Sequence, residues 1–537
     1  MPLRETAAPN IPPEGPALLA ARLQSYGASC SILDLNSYRI KGEDPLAGAL
    51  CNGHHLTFEE TRGYFDAHIS KFGTPDIIAF SGIITTLRWQ EIVAKIVKKK
   101  LPKCFLVSGN GLATEINTGL FNWIPELDAI ARSEGDDVIL VIANDVKIIR
   151  ELGMDDAIAS SKISHYYAGY FLGKHRFVYE GDRPKDLDTL PLAAWDLLEE
   201  DPFGENILEK YLQVPVWGLA ANNSSAAPFS MKRSITTVSS RGCPYACTFC
   251  YRGAQGERNY GMRSAEHIAK QIRLYVDQYG VDFIGFVDDN FAVDKRRIAL
   301  LPDAFKKQGV KVRWGTHTRM DEADERAYDM AKAGCIYIGF GAESADIETL
   351  TRMKKGGFIL KRGTVEIEVR GKKYAFPKSM VDAILNCHSA GIHANCTWIM
   401  GYPGETLEQL KTSVAFIAWQ QDIIEKGLIE NNNGYTDPKL AINRNMFTAT
   451  AYPGTDMFKD PYVREQLSKH FKISFNEIGN PICDDHFYEY VLELDDATKA
   501  LRGSNGDMLN FSAMNMHDYT KARNYIDNDQ VEKILEM

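Results

Sequence analysis

Apolar positions along the first 150 residues follow two alternating rhythms. In ALLAARLQSYGA (17–28), Leu18, Ala21 and Leu23 keep a helical spacing, and Gly27 stands where a left-handed helix end is easily accommodated. CSILDLN, PDIIAFSGI (75–83) and KCFLVSGNGLAT read as strands, and the last two run out into small residues: Ser81 and Gly82 in one, Ser108, Gly109 and Gly111 in the other. LRWQEIVAKIVKKKLP reads as a helix between them, and LDAIARSEGDDVILVI closes the series. Strands separated by helices pair in parallel. Residues 1–150 are therefore predicted to form a doubly wound, Rossmann-like α/β domain with its ligand crevice at the carboxyl ends of the strands.

Residues 151–230 are less regular, and the polar stretches EGDRPKDLDTLP and AANNSSAAPFS suggest a linker with some structure of its own. From Ser234 the alternation resumes with ITTVSS, SAEHIAKQIRLYVDQYG as a helix capped by Ser264, VDFIGFVDD, VKVRWGTHTR, IYIGFGAES, IHANCTWIMG and LAINRNMFT. About six strands with helices between them predict a partial (β/α)6 barrel of the TIM type over 231–458, with chemistry on the loops after the strands. The stretch 354–377 breaks the rhythm, and its alternation in TVEIEV reads as an inserted hairpin. Residues 459–537 form a C-terminal segment to which the sequence assigns no role.

Composition narrows the class. The 537 residues are 45% hydrophobic and 25% charged, as in an ordinary globular protein. A net charge of −10 disfavours a nucleic-acid partner, and no apolar run approaches the ~18 residues of a membrane span. The start, MPLRETAAPNIPPEGP, lacks the charged and apolar regions of a signal peptide, and seven of the ten cysteines are scattered singly, so a reducing cytoplasm is expected.

The other three cysteines are grouped. RGCPYACTFCYRG places Cys243, Cys247 and Cys250 in a C-x3-C-x2-C loop directly after a strand. Three thiolates held together repel one another unless a cation binds them. A structural zinc site wants a fourth ligand, and the nearest histidine, His267, lies inside the next helix. An iron–sulfur cluster with three protein ligands leaves one iron open to a small molecule.

With Phe249 just before the third cysteine, this loop resembles the signature of the radical S-adenosylmethionine enzymes. The resemblance implies that Cys243, Cys247 and Cys250 bind a [4Fe-4S] cluster whose open iron chelates S-adenosylmethionine. Reductive cleavage then gives methionine and a 5′-deoxyadenosyl radical. It also implies that Phe249 packs beside the adenine and that Gly341 and Glu343 of GFGAES face the cofactor. Arg319 of THTRMD would lie near the ribose or the methionine carboxylate, and Ile399 to Gly401 of WIMGYPGET against the adenine. Glu343 as a helix cap and Arg319 as a surface ion pair remain alternatives. Of the paired Asp288 and Asp289, one is open to a cofactor or substrate and the other to a turn.

The order of motifs in the first domain resembles the cobalamin-binding domain found ahead of the barrel in one large radical S-adenosylmethionine subfamily. The similarity spans residues 11–458. It implies cobalamin contacts at Ser81, Gly82, Thr85, Leu87, Ser108, Gly109, Gly111, Glu134 and Gly135. There is no D-x-H-x-x-G motif, so bound cobalamin is expected to have no protein imidazole on cobalt, and Asn110 and Leu112 depart from the usual glycine and histidine. A domain of this fold that has lost its ligand is the bland alternative. The resemblance implies methylation of an unactivated carbon of a small-molecule substrate, one S-adenosylmethionine serving as oxidant and a second remethylating cobalamin. An electron donor such as flavodoxin or ferredoxin is implied as partner. Cyclisation or rearrangement uses the same equipment. A methylthiotransferase would carry a second cluster, and an iron–sulfur carrier would want a fourth thiolate.

Overall fold

The structure, a computed structural model, describes residues 11–39, 56–213, 231–251, 260–355, 357–425, 442, 444, 446–495, 501–503, 506 and 508–537. Cys51 and the stretch AANNSSAAPFS lie outside these residues. The chain divides into two compact units. One comprises Met1–Tyr211, Arg252–Glu257 and Phe471–Asp496, the other Leu212–Tyr251, Arg258–His470 and Ala497–Met537. Among the described residues no helix is long and apolar enough to cross a membrane.

The first unit is built on a five-stranded sheet of β1 (Ile77–Ser81), β2 (Phe105–Gly109), β3 (Ala129–Ser133), β4 (Tyr167–Phe171) and β5 (Lys174–Gly181), in the order β1-β2-β3-β5-β4. All neighbours are parallel except β4, which pairs antiparallel with β5 at the edge. Ser81 stands opposite Gly109, so β1 and β2 end level with each other. The helix Leu87–Lys100 buries Leu87, Trp89, Val93, Ala94, Ile96 and Val97, and three lysines in its last turn complement its dipole. Phe105, Val107, Ile142, Val146, Phe177 and Tyr179 form a core with the helix Val138–Leu152.

Two expectations are corrected here. CSILDLN forms no strand: Asp34 accepts from Asn36 N at 3.1 Å through its side chain, and from Ser37 N and Oγ at 3.2 and 2.7 Å through its carbonyl. This turn withdraws the backbone from a ladder. Second, the stretch 151–230, read as a linker, supplies β4 and β5 to the sheet. Arg176 interrupts the apolar pattern of β5 yet is fully buried, and it donates to the carbonyl oxygens of Pro125, at 3.1 Å, and Leu127.

In the second unit six parallel strands lie in chain order: β6 (Ser234–Thr237), β9 (Phe283–Phe286), β10 (Arg313–Thr318), β11 (Cys335–Glu343), β14 (His393–Met400) and β15 (Met446–Thr448). Two antiparallel pairs interrupt the count, β7 (Ser240–Arg241) with β8 (Gly261–Met262) and β12 (Thr364–Val369) with β13 (Lys372–Pro377). Among the described residues β6 and β15 are the edges of the sheet, an α/β half-barrel in line with the partial barrel expected. Its strands are almost wholly buried, as helix-covered parallel strands must be. Ser264 caps the helix Ala265–Tyr279 by accepting from His267 N at 3.1 Å. The inserted hairpin begins only at Thr364. Gly357–Lys361 is a short helix and Lys355 is buried, so the stretch 354–363 does not belong to it.

Candidate active site on the cysteine loop

The cysteine loop leaves β6 and is braced from below. Asp288, buried at the end of β9, accepts from Ser239 N at 2.6 Å and from the hydroxyls of Ser239 and Ser240 at 2.5 and 2.8 Å. Asp289 accepts from Gly242 N at 3.1 Å. The paired acids thus both support the loop.

Three other segments of the chain hold its far side. Thr248 donates its N–H to Met353 O at 3.0 Å, its carbonyl accepts from Met457 N at 2.7 Å, and its hydroxyl bonds Tyr402 Oη at 2.5 Å. Met457 comes from YPGTDMF and Tyr402 from WIMGYPGET.

Cys247 stands close enough to oppose the ionisation of the Cys243 and Cys250 thiols. Burial raises the Cys243 thiol, and burial with the neighbouring Cys247 and Cys243 pushes Cys250 up to about 12. A bound cation reverses this by pairing with the thiolates. Among the described residues no three His, Cys, Asp or Glu side chains converge as they would on a single metal ion. A [4Fe-4S] cluster takes one thiolate per iron, so its ligands are spread apart. Three cysteine thiols on one loop are a donor set that fits a [4Fe-4S] cluster with one iron left open.

Around the sulfurs lies a ring of buried polar groups. Arg319 Nη1 donates to Cys247 Sγ at 3.7 Å, and its guanidinium covers the Tyr245 ring at 3.9 Å. The surface ion pair alternative is excluded, because Arg319 is 5% exposed and its partner Asp321, at 3.0 Å, is buried as well. Glu343 ends β11 with a φ of +65° and points at Lys355 Nζ, 3.4 Å away. The capping alternative fails too, since Asp346 caps the following helix by accepting from Thr349 N at 2.8 Å. Burial raises the Glu343 carboxyl, and Lys355 partly offsets this. A side chain at Gly341 would start 2.5 Å from Glu343 Oε1, so the pair is open on that side only to a glycine.

Lys355 Nζ also lies 5.7 Å over the Phe249 ring. Gly401, at φ +82°, donates to Glu405 Oε2 at 2.7 Å, and a Cβ there would stand 2.8 Å from Tyr519. Ile399 lies near the end of β14, half-buried. Cys243, Cys247, Cys250, Phe249, Arg319, Gly341 and Glu343 are thus joined through shared neighbours. Sequence reasoning missed Lys355, Tyr245, Asn290, whose Nδ2 donates to Cys243 Sγ, and Glu322, which accepts from both Asn290 and Tyr245. Tyr245 lay within the motif, but the others meet it only through the fold and carry no local signal.

In the first unit Ser81 and Gly109 are the last residues of β1 and β2, Thr85 lies in the single 3-10 turn Ile84–Thr86 that follows β1, and Gly111 in the helix Asn110–Ile116 that follows β2. Ser81 Oγ accepts from Asn110 Nδ2 at 3.4 Å, and Ile83 beside Gly111 is 51% exposed. Thr85 Oγ1 is buried with no protein partner, as expected where a ligand completes the hydrogen bonding. Five other residues expected to meet cobalamin have their surroundings already filled. Leu87 is 1% exposed and Ser108 is fully buried, its hydroxyl donating to Gln90 Oε1 at 2.6 Å, so neither side chain faces a crevice. The space over Gly82 is filled by Thr86 and Gln90, and that over Gly135 by Leu19 at 3.0 Å. Glu134 is held by Arg183 at 2.7 Å.

A six-stranded parallel half-barrel with a three-cysteine loop after its first strand defines a class of cluster-dependent enzyme. The profile of the Radical SAM superfamily matches residues 237–417, and the chain carries a radical S-adenosylmethionine domain. An uncharacterized methyltransferase, PH0819 of Pyrococcus horikoshii, is 25% identical over 408 residues, 75% of this chain and 72% of that protein. The anaerobic magnesium-protoporphyrin IX monomethyl ester cyclase of Cereibacter sphaeroides is 22% identical over 65% of this chain, which spans only 50% of the cyclase. The fold is shared with the radical S-adenosylmethionine methyltransferase TsrM of Kitasatospora setae, with a TM-score of 0.60 and 15% identity over 95% of this chain and 87% of that one.

Proposed function

We propose that this protein is a cobalamin-dependent radical S-adenosylmethionine methyltransferase that methylates an unactivated carbon of a small molecule in the cytoplasm. The observation that carries the reading is the C-x3-C-x2-C loop at the carboxyl end of β6, inside the segment that matches the superfamily profile. Cys243, Cys247 and Cys250 would hold the cluster. Phe249, Gly341, Glu343, Ile399 and Gly401 would surround S-adenosylmethionine, with Lys355 facing its carboxylate. When bound, the cluster and S-adenosylmethionine supply reductive formation of an adenosyl radical, and cobalamin supplies the methyl group. The chain's own contribution is to keep the loop buried on one side, orient the zwitterionic end of the ligand between Glu343 and Lys355, and exclude water.

Cobalamin is supported by the small residues at the carboxyl ends of β1 and β2, by the orphaned Thr85 hydroxyl, and by the fold shared with TsrM, whose structure holds cobalamin and a [4Fe-4S] cluster. Ser81, Thr85, Gly109 and Gly111 are the residues proposed to meet it. Methylation is preferred to cyclisation because TsrM and the Pyrococcus relative, both named methyltransferases, are spanned over most of their length, and the cyclase over half. A flavodoxin- or ferredoxin-like donor would deliver the reducing electron.

Anaerobic purification from cobalamin-fed cells tests the reading. About four irons per chain, corrinoid absorption bands and 5′-deoxyadenosine formed from S-adenosylmethionine under a reductant are expected. Fully loaded protein that never cleaves S-adenosylmethionine would refute it, and about eight irons would favour a two-cluster enzyme.

A further inference from the structure

Two side chains outside the cysteine loop aim polar hydrogens at its sulfurs. Arg319 Nη1 donates to Cys247 Sγ at 3.7 Å and Asn290 Nδ2 to Cys243 Sγ at 4.0 Å. They are 5% and 1% exposed, and both are fixed from behind. Arg319 Nε bonds Asp321 Oδ1 at 3.0 Å, and Nη2 donates to Lys355 O at 3.0 Å. Asn290 Oδ1 accepts from Thr318 Oγ1 at 2.7 Å, while its Nδ2 also reaches Glu322 Oε1 at 3.2 Å. Tyr245, the ring beneath Arg319, donates its hydroxyl to that same Glu322 oxygen at 2.8 Å. The contacts close a circuit from Cys243 through Asn290, Glu322, Tyr245 and Arg319 to Cys247. These donors are aligned by the protein alone.

A thiolate that accepts an N–H bond gives less charge to its iron, and a neighbouring cation favours the state with one more electron. Hydrogen bonds to sulfur and local charge are among the main determinants of cluster potential, and the groups beyond the ligands set both. We propose that Arg319, with Asn290 as the weaker partner, holds the reduction potential of the cluster above the value the three thiolates alone would give. This inference rests on the reading that Cys243, Cys247 and Cys250 bind a cluster. It gives Arg319 a task on the sulfur side, in place of the ribose or carboxylate contact expected from sequence. The electron comes from the external donor, and the cluster is the group reduced.

Redox titration followed by electron paramagnetic resonance, with iron per chain measured on each sample, tests this on the reconstituted parent and on Arg319→Lys, Arg319→Gln and Asn290→Ser. The midpoint should fall from parent to Arg319→Lys to Arg319→Gln. For Arg319→Gln the reduced-to-oxidised ratio at a fixed poise should drop about tenfold, equivalent to about 59 mV for a one-electron couple. Asn290→Ser should move less, in the same direction. Cluster-loaded variants with the parent's midpoint would overturn the proposal, even with weakened S-adenosylmethionine binding, because that pattern marks a cofactor contact. Loss of iron from all three variants would also overturn it, since the residues would then be needed to build the loop. A parent that takes up no cluster overturns the underlying reading as well, so its iron content separates the two failures.

Discussion

The cysteine loop is surrounded by buried ionisable groups, whereas the ends of β1 and β2 in the first sheet carry few. Beside the loop stand Asp288, Arg319, Glu322, Glu343 and Lys355, each under a tenth exposed. After β1 and β2 the polar groups are hydroxyls, the Asn110 amide and backbone. Buried charges that are paired and hydrogen-bonded suit a small, highly charged ligand fixed at defined atoms. Small residues and backbone suit a broad ligand held by shape. The difference teaches that one chain builds one site from electrostatics and the other from space, and the two should fail differently.

The largest contrast comes from replacing Cys243, Cys247 or Cys250 with Ala. Each variant should lose iron and reduce 5′-deoxyadenosine to background while keeping the corrinoid bands. Loss of both cofactors together would break the comparison. Next, Glu343→Gln should leave iron unchanged and raise the Kd for S-adenosylmethionine about 10- to 100-fold, the loss of one charge-assisted contact, measured by the perturbation of the cluster signal.

In the first unit the expected effects are steric. A Cβ at Gly82 would lie 2.2 Å from Thr86 Oγ1, so Gly82→Ala should cost about 1–3 kcal/mol by overpacking. A Cβ at Gly109 has nothing nearer than 3.7 Å, so Gly109→Ala should change stability by less than about 0.5 kcal/mol and act only on corrinoid retention. Equal destabilisation by the two would remove the distinction between a packing glycine and a ligand-facing one.

Glu405 sharpens the electrostatic side. It is fully buried, and burial raises its carboxyl to about 8 from an ordinary 4.5. Between these values the folded state holds a proton that the unfolded state has released, so stability falls as pH rises from 4.5 to 8. Glu405→Gln should flatten that slope and raise Tm above pH 5 by about 2–4 °C for each kcal/mol recovered, read by thermal melts across pH. The smallest effect belongs to Tyr488→Phe, which removes one hydrogen bond to Glu91 within the first unit and should cost about 0.5–1.5 kcal/mol in chemical denaturation.

What could be read from sequence was local. The cysteine spacing, the Ser264 cap and the strand–helix alternation lie within a few residues, and they gave the α/β class and the half-barrel. β5 escaped because its buried Arg176 finds its acceptors about fifty residues away, at Pro125 and Leu127. CSILDLN misled because its apolar alternation outweighed the turn at Asp34. Asn290 and Lys355 were illegible because their importance lies in what they touch: a sulfur 47 residues away for Asn290, and the Phe249 ring for Lys355.

The segment Phe471–Asp496 belongs to the first unit, though the chain before and after it belongs to the second. Trp123 meets Phe487 and Tyr488 at ring separations of 5.4 and 5.5 Å, and Tyr490 and Val491 are buried. Synthesis proceeds from the N-terminus at about 5–20 residues per second. The sheet that is made first must therefore wait tens of seconds, with the half-barrel emerging meanwhile, before the ribosome delivers the piece that covers Trp123. A chain stopped after the barrel would leave its earliest-made unit permanently unfinished.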